Sequence, residues 1–233
     1  MNTIGTEQPE RWRVPVGEDQ TSALVQRAQR PLAESVLVLG HGASTHMEHP
    51  TMERLAREFL SRGLSVVRFN FLYTDKKKGP PDRMPRLMEC FAAVVEKVRQ
   101  ELTPPHLFLG GHSLGGRTAS MLAAEGFGCE GLLLLAYPLH PAGQPEKLRD
   151  AHLAEIKVPV LCLNGTRDEL CEQALMQQVV ERLPATFTMH WLEGADHGFH
   201  VQKRSGRTED EVFEEIGEAS REWVARVLGS RGA

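Results

Sequence analysis

The chain has 233 residues, of which 41% are hydrophobic and 25% are charged, a balance that is typical of soluble globular proteins. This length favours one domain with one sizeable core over two small domains. The formal net charge of −4 provides no basic surface of the kind that binds nucleic acid. It also provides no excess of positive charge that would hold the chain on an anionic membrane. We therefore expect neither kind of partner.

Cysteine content and the N-terminal segment indicate the location. The four cysteines have neither CxxC nor zinc-finger spacing, so free thiols in a reducing cytosol are the simplest interpretation. Residues 1–30 contain no apolar signal core, and the longest apolar run, 132–137, is far too short to span a membrane. We predict a cytoplasmic protein with a single domain over residues 1–233, either a monomer or a homodimer.

The hydrophobic pattern alternates between short apolar runs and segments with an apolar face at helical spacing. At the N-terminus it predicts a hairpin of two strands, 11–16 and 22–29. Residues 73–85, rich in Lys, Gly and Pro, are predicted as a loop. The other predicted elements, in chain order, are strand 35–40, helix 51–61, strand 64–71, helix 86–102, strand 106–110, helix 114–124, strand 131–137, strand 159–164, helix 169–183, strand 186–192 and helix 209–228.

Strands that alternate with helices indicate an α/β fold with a mostly parallel central sheet and helices on both faces. The central strands are continuous apolar runs, as burial on both faces requires. The sequence contains no internal repeat and no clear linker, which favours one domain. Residues 1–30 would then be its N-terminal hairpin or an extension of it.

The most informative motif is Gly111-x-Ser113-x-Gly115, which lies between a predicted strand and a predicted helix. This is the context of a nucleophile elbow, a tight and strained turn that projects the serine hydroxyl above the sheet. Glycines two residues before and two residues after the serine remove Cβ atoms that would collide with the neighbouring strand and helix. The helix that begins at Leu114 directs its free N–H groups and the positive end of its dipole toward the reaction centre.

A serine hydroxyl is a weak nucleophile at neutral pH, so Ser113 needs a base, and the base needs an acid to orient it. In this kind of fold the chain order is Ser, then Asp or Glu, then His. Asp168 follows the strand at 159–164, and His197 lies in a glycine-flanked loop after the strand at 186–192. All three side chains would lie beyond the carboxyl ends of parallel strands, where such sheets place their sites.

Neighbouring residues offer alternatives for the acid and the base. Glu169 is expected to enter the following helix, and Asp196 is expected to cap its own turn, so Asp168 is the preferred acid. The other histidines in the second half of the chain are assigned to packing or solvent: His152, His190 and His200.

Two backbone N–H groups are expected to stabilise the oxyanion. One belongs to Leu114, and the other comes from the loop after the first parallel strand. We assign the second donor to Ala43, with Ser44 as the alternative, because Gly42 lets this loop turn close to the substrate. The predicted site would therefore combine a nucleophile, a base, an acid and two oxyanion donors.

Three histidines near this loop, His41, His46 and His49, could suggest a metal ion. No carboxylate or cysteine set with ligand spacing completes such a site. We therefore assign His41 to the structure of the loop and expect neither a metal nor a cofactor. The lysine run at 76–78 could attract an acidic substrate, but such runs are more often solvated loops.

The order strand, GxSxG, helix, then Asp and His after later strands, resembles that of the α/β-hydrolase superfamily over residues of about 30 to 228. The chain is more closely similar to a dienelactone-hydrolase-related branch. That branch includes the testis-expressed protein and the hydrolase-like part of a histone-acetyltransferase complex subunit. The segments that carry this finer resemblance are 39–44, 137–140, 147–150, 168–172 and 190–193.

Two features depart from the dienelactone hydrolases themselves. The nucleophile here is Ser113, whereas the resemblance implies a cysteine in the elbow. The interval 137–159 has room for little more than a helix, so we expect an α/β-hydrolase fold with no large lid domain. A site without a lid favours small or extended soluble substrates over a lipid surface.

These observations predict a serine hydrolase that cleaves a small or medium carboxylic ester through an acyl-enzyme intermediate. A thioesterase or an amide or peptide hydrolase with the same triad is an alternative, because one machinery serves all acyl transfers. An interaction module that keeps the fold without turnover is another, since the resemblance includes a chromatin-complex subunit. The side chains predicted to contact the substrate are Ser44, His112, Leu114, Tyr137, Leu139, Phe199 and residues of the loop 72–85.

Overall fold

A single sheet of eight strands organises the computed structural model, which describes residues 8–230. The strands are β1 (Glu10–Val16), β2 (Asp19–Gln26), β3 (Ser35–Gly40), β4 (Ser65–Phe69), β5 (His106–His112), β6 (Gly131–Leu135), β7 (Val160–Gly165) and β8 (Phe187–Leu192). The helices are α1 (Pro50–Ser61), α2 (Leu72–Asp75), α3 (Met84–Leu102), α4 (Leu114–Ala124), α5 (Gln173–Val180) and α6 (Glu209–Gly229). Short 3₁₀ turns lie at Leu153–Glu155 and Lys203–Ser205.

The strand order across the sheet is β1-β2-β4-β3-β5-β6-β7-β8. All pairs from β4 to β8 are parallel, and only the pairs that involve β1 or β2 are antiparallel. This confirms the predicted α/β fold with a mostly parallel sheet. The predicted N-terminal hairpin is present, but its turn is shorter than expected because β2 begins at Asp19. The hairpin extends the central sheet, since β2 pairs with β4.

Helices cover both faces of the sheet, as predicted. In β3 the side chains alternate: Val36 and Val38 belong to the core under α3 and α4, whereas Leu37 and Leu39 belong to the core under α1 and α6. On the second face Trp223 of α6 packs edge-to-face on Phe108 of β5, with ring centroids 5.7 Å apart. Burial on both faces explains why the parallel strands are apolar at every position.

Several predicted boundaries differ from the structure, most of them by one to three residues, and three of the differences concern the site. Strand β5 continues to His112 because Gly111 pairs with Gly40 and His112 with Leu135. Helix α5 begins at Gln173, because the Asp168 carboxylate accepts the N–H of Leu170 and holds the chain in a turn. The predicted loop after β4 contains the one-turn helix α2.

Between β6 and β7 the chain forms turns and a single 3₁₀ turn, Leu153–Glu155. This segment lies beside α4 and holds no inserted helical domain, in agreement with the prediction of no large lid. Parallel strands bring their carboxyl ends to one edge of the sheet, so the loops after β3, β5, β6, β7 and β8 meet there. Within residues 8–230, none of the helices has the length and apolar character needed to cross a membrane.

Candidate active site

Ser113 occupies the sharp turn between β5 and α4. Its backbone has φ 51° and ψ −112°, in the positive-φ region that residues other than glycine rarely adopt. The N–H of Ser113 donates to the carbonyl of Leu135 in β6 at 2.8 Å. This bond and the packing of α4 hold the strained turn, which presents the hydroxyl at the carboxyl edge of the sheet.

The two glycines of the motif let α4 begin directly against the sheet. A Cβ on Gly111 would lie 2.5 Å from the Gly40 carbonyl oxygen and 2.5 Å from the Gly115 carbonyl carbon. A Cβ on Gly115 would overlap with the same Gly40 carbonyl group. The structure therefore provides the physical reason for the motif: β3, β5 and α4 approach so closely that no side chain fits between them.

The structure brings Ser113, His197 and Asp168 into hydrogen-bonding contact. The Ser113 Oγ atom lies 2.9 Å from His197 Nε2, and His197 Nδ1 lies 2.9 Å from both carboxylate oxygens of Asp168. Because a carboxylate only accepts hydrogen bonds, His197 carries its proton on Nδ1 and leaves Nε2 free to accept the serine proton. The Asp168 side chain is completely buried, whereas the His197 ring is 24% exposed.

The Asp168 carboxylate has two further donors. Asn164 Nδ2 donates to Oδ2 at 3.0 Å, and the N–H of Leu170 donates to Oδ1 at 2.9 Å. Asn164 also bonds both backbone groups of Tyr137, which ties β7 to the segment after β6. The sequence reasoning overlooked Asn164. The signal was available, because Asn164 is a polar residue at the end of the otherwise apolar strand VLCLNG.

The alternative acids lie elsewhere. Glu169 is exposed in the turn after β7, not in a helix as expected. Asp196 accepts the N–H groups of Gly198 and His200 at 2.9 Å, so it caps its own turn as expected.

The alternative bases have other partners. His152 bonds Ser120 and His190 bonds Glu215, and neither histidine bonds Ser113.

The loop after β3 is fixed by two side chains. His41 is buried and donates from Nδ1 to the Gly42 carbonyl at 2.7 Å, while its Nε2 accepts the N–H of Phe71 at 3.1 Å. Burial lowers the pKa of His41 to about 4, so the ring is neutral. The Tyr73 hydroxyl donates to the Ala43 carbonyl at 2.9 Å. Sequence reasoning anticipated the structural role of His41 but did not single out Tyr73.

The backbone N–H groups at the predicted oxyanion positions are unpaired among the described residues, and so is that of the alternative donor Ser44. Among the described residues, neither the N–H of Ala43 nor that of Leu114 has a hydrogen-bond acceptor. Leu114 is the first residue of α4, where helical N–H groups lack intrahelical partners. Ala43 and Ser44 are both exposed in the loop after β3.

His112 has a different position from the one predicted. Its ring is buried, and its Nε2 lies 2.8 Å from the carbonyl oxygen of His197. Burial, then the nearby His197, lower the pKa of His112 to about 4. A neutral ring that donates from Nε2 holds the loop of the base, whereas the prediction made His112 a substrate contact.

Three other predicted substrate contacts are corrected by their burial. Tyr137, Leu139 and Phe199 have 0% of their surface exposed. The Tyr137 hydroxyl donates to the Arg149 carbonyl at 2.6 Å inside the core, and the Phe199 ring packs on Phe213 of α6. These side chains therefore belong to the core that packs under the site. Of the predicted contacts, Ser44 is exposed and Leu114 is partly exposed.

The charged and histidine-rich segments near the site do not assemble a metal centre in the described chain. Within residues 8–230, no group of three or more His, Cys, Asp or Glu side chains has the geometry to hold a metal ion. The rings of His46 and His49 lie 6.1 Å apart. In the lysine run, Lys76 pairs with Asp19 at 2.5 Å, which connects α2 to the N-terminal hairpin.

With the fold and this geometry established, the family can be stated. Residues 33–225 match the family model of the alpha/beta hydrolase domain. The chain therefore belongs to the α/β-hydrolase family, as the sequence resemblance predicted. The match extends from just before β3 to the last turns of α6, and it includes the loops after β3, β5, β7 and β8.

Solved structures with similar folds come from several bacteria. An α/β serine hydrolase homologue from Coxiella burnetii has a TM-score of 0.75 at 20% identity, covering 94% of this chain and 99% of that one. A serine hydrolase without a lid from Xanthomonas campestris has a TM-score of 0.75 at 22% identity, with 95% and 98% covered. A dienelactone hydrolase from Anabaena variabilis has a TM-score of 0.73 at 18% identity, with 94% and 99% covered. At these identities the likeness concerns the fold.

Proposed function

We propose that this protein is a serine hydrolase that cleaves carboxylic esters. The observation that carries the proposal is the continuous contact from Ser113 Oγ through the His197 ring to the buried Asp168 carboxylate, with 2.9 Å at each step. A serine, a base within hydrogen-bond reach and an acid that orients the base together form the constellation of acyl transfer. The unpaired N–H groups of Ala43 and Leu114, in the loop after β3 and in the first turn of α4, support the same assignment.

The proposed reaction has two halves. In the first, His197 Nε2 accepts the Ser113 proton as Oγ attacks the acyl carbon, and the N–H groups of Ala43 and Leu114 stabilise the oxyanion. The imidazolium then donates its proton to the alcohol oxygen, which leaves as the acyl-enzyme forms. In the second half, water attacks the acyl carbon with His197 again as the base, and the acid product leaves as Ser113 recovers its proton. Asp168 stabilises the imidazolium throughout.

The choice of an ester over a thioester or an amide also belongs to the proposal, since the same residues would serve all three. The assignment to a particular branch of the family is likewise part of the proposal. We place the chain near the testis-expressed protein and the histone-acetyltransferase subunit on the five segments that carry the resemblance. Three buried cysteines, Cys90, Cys162 and Cys171, are free thiols, which supports a reducing, cytoplasmic location.

The first experiment measures hydrolysis of p-nitrophenyl esters from acetate to long acyl chains. We expect turnover by the wild type and a loss of about 10⁴-fold or more in Ser113→Ala, the scale seen when a serine triad loses its nucleophile. The matched control is Ser61→Ala, because Ser61 is an exposed serine on α1 that bonds only the Glu58 carbonyl and Arg62.

Two results would contradict the proposal. Full activity in Ser113→Ala would overturn the assignment of the nucleophile. No turnover of any ester, together with no labelling of Ser113 by a fluorophosphonate probe, would favour an interaction module without catalysis. Labelling of Ser113 with faster turnover of matched thioesters would keep the triad and change the substrate class.

A further inference from the structure

Two arginines beside the candidate active site have no role in the chemistry described so far. Arg117 lies one turn along α4 from Ser113, and the side chains of a helix lean toward its N-terminus. The Cα atoms of Ser113 and Arg117 are therefore separated by about 6 Å along α4. Arg149 lies in the segment after β6, where its N–H donates to the Leu139 carbonyl at 2.7 Å and its carbonyl accepts the Tyr137 hydroxyl at 2.6 Å.

Arg117 and Arg149 belong to two elements that pack against each other, α4 and the segment after β6. Arg117 lies three residues before Ser120 on α4, and the Ser120 hydroxyl donates to the Arg117 carbonyl at 2.8 Å. One Arg149 nitrogen, Nη1, lies 3.4 Å from the Pro138 carbonyl. His152 is held by a 2.8 Å contact with Ser120 of α4. The segment after β6 that carries Arg149 thus packs on the part of α4 that follows Arg117, and the charge of Arg117 acts on both Arg149 and His152.

These two positive charges have no acidic partner in the described part of the chain. The Nε atom of Arg117 is buried without a hydrogen-bond partner. The nearby acid, Asp150, pairs with Arg182 at 3.1 Å. His152 cannot compensate, because burial and then Arg117 lower its pKa to about 4 and keep it neutral.

An unpaired pair of like charges that is partly buried is unfavourable, and an anion between the two groups would relieve it. Arginine remains protonated in proteins and presents a planar fork of donors that matches a carboxylate or a phosphate. The buried Nε of Arg117 is one such unused donor. The structural features thus favour an oxyanion as the missing partner.

We propose that Arg117 and Arg149 form a binding site for an anionic group, a carboxylate or a phosphate, carried by the substrate. This inference rests on the proposed ester hydrolysis, since it names the class of ester. Four helical residues span about 6 Å, so the anion would lie roughly 7–12 Å from the Ser113 hydroxyl. That distance suits the far carboxylate of a monoester of a five- to seven-carbon dicarboxylic acid.

The test compares two esters that differ only in charge: monoethyl adipate and its neutral terminal amide. We expect the wild type to prefer the acid by at least tenfold in kcat/KM, and mainly through KM, because the contact is made before the acyl chemistry. In Arg117→Gln and in Arg149→Gln the ratio of the two kcat/KM values should fall to about one. Arg57→Gln, which removes an exposed arginine from α1, should leave the ratio as it is.

A binding measurement separates this inference from the proposed function. Adipate and inorganic phosphate are titrated calorimetrically into Ser113→Ala, and into the same variant that also carries Arg117→Gln. Binding that Arg117→Gln abolishes supports the anion site. The ligand that binds more tightly then identifies the anionic group as a carboxylate or a phosphate. Binding of this kind without hydrolysis of any ester would keep the anion site and contradict the proposed function. Hydrolysis of both esters at equal rates, with no binding of either anion, would overturn the anion site alone.

Discussion

At the scale of single residues, the site depends on side chains that hold the reacting ones. Asp168 is oriented by Asn164 and by the N–H of Leu170, and the loop of His197 is held by His112. The donors around the Asp168 carboxylate fix its orientation, and the carboxylate in turn fixes the tautomer of the base. The geometry of the candidate triad therefore depends on residues that lie outside it.

His112 provides a direct test of this idea. Replacing it with Phe keeps a ring of similar size and removes the donor to the His197 carbonyl, so we expect kcat to fall about tenfold, the scale of one hydrogen bond of about 1.5 kcal/mol. His112→Gln retains an N–H donor of similar reach and should recover most of the loss. Steady-state kinetics on a p-nitrophenyl ester measures both variants.

The paired design distinguishes positioning from packing. If His112 only filled space, Phe would be tolerated better than Gln. The order of the two kcat values would then be reversed, with no change in the pH dependence of kcat. Under the positioning role, the pH profile of the Phe variant should shift because His197 loses its fixed orientation.

At the scale of elements, the close approach of α4 to β3 creates the elbow. Gly115 lies against the Gly40 carbonyl, and Gly111 lies between Gly40 and the first turn of α4. In β6 and β7 the tight contacts are made by polar groups, since Asn164 bonds both backbone groups of Tyr137. The elements that carry Ser113, Asp168 and His197 are thus joined by backbone contact as well as by apolar packing.

Gly115→Ala tests that contact. In an exposed helix this change would stabilise by about 1 kcal/mol, but here the new Cβ overlaps with Gly40. Because overpacking costs typically 1–3 kcal/mol, we expect a net loss of about that size in the free energy of unfolding, together with lower esterase activity. Urea unfolding followed by circular dichroism measures it.

Gly79→Ala is the matched control, since a Cβ at Gly79 would have no atom within 4 Å. Its free energy of unfolding should stay within roughly 0.5 kcal/mol of the wild type. An Ala at position 115 that stabilised the protein would show that α4 can move away from β3 without cost.

At the scale of the whole molecule, two buried neutral histidines connect stability to pH. The pKa values of His41 and His112 are both lowered to about 4, chiefly by burial. A histidine with a lowered pKa in the folded state binds fewer protons than in the unfolded chain, where its pKa is about 6.5. The stabilisation is therefore complete above pH 6.5 and is lost as the pH falls from 6.5 to about 4.

We expect the free energy of unfolding to fall by about 2 kcal/mol per buried histidine between pH 7.5 and pH 5, from 1.4 kcal/mol per pKa unit. Urea unfolding at the two pH values measures this drop. His41→Asn should be less stable at pH 7.5 and should lose less on acidification. A variant that keeps the full pH dependence would exclude His41 as a source of it.

Much of the fold was predictable because its signals are local. Apolar runs and helical faces recur at fixed spacing, so β3 and α4 were predicted at their observed bounds. The start of α5 was not, because the turn that delays it is made by the Asp168 side chain bonding the backbone. Four predicted substrate contacts were misplaced for a related reason: sequence position indicates the strand end, but not whether a side chain there points into the core.

The sequence by itself determined the class of fold and indicated the chain order of the three candidate catalytic residues. The elbow glycines, the acid and the histidine each follow a strand that the local pattern reveals, and parallel strands must end at one edge. Only the tertiary structure decided which side chains support them. Asn164 reaches Tyr137 across 27 residues of the chain, and Tyr73 reaches Ala43 across 30. Such contacts depend on how the layers pack, and no spacing in the sequence encodes them.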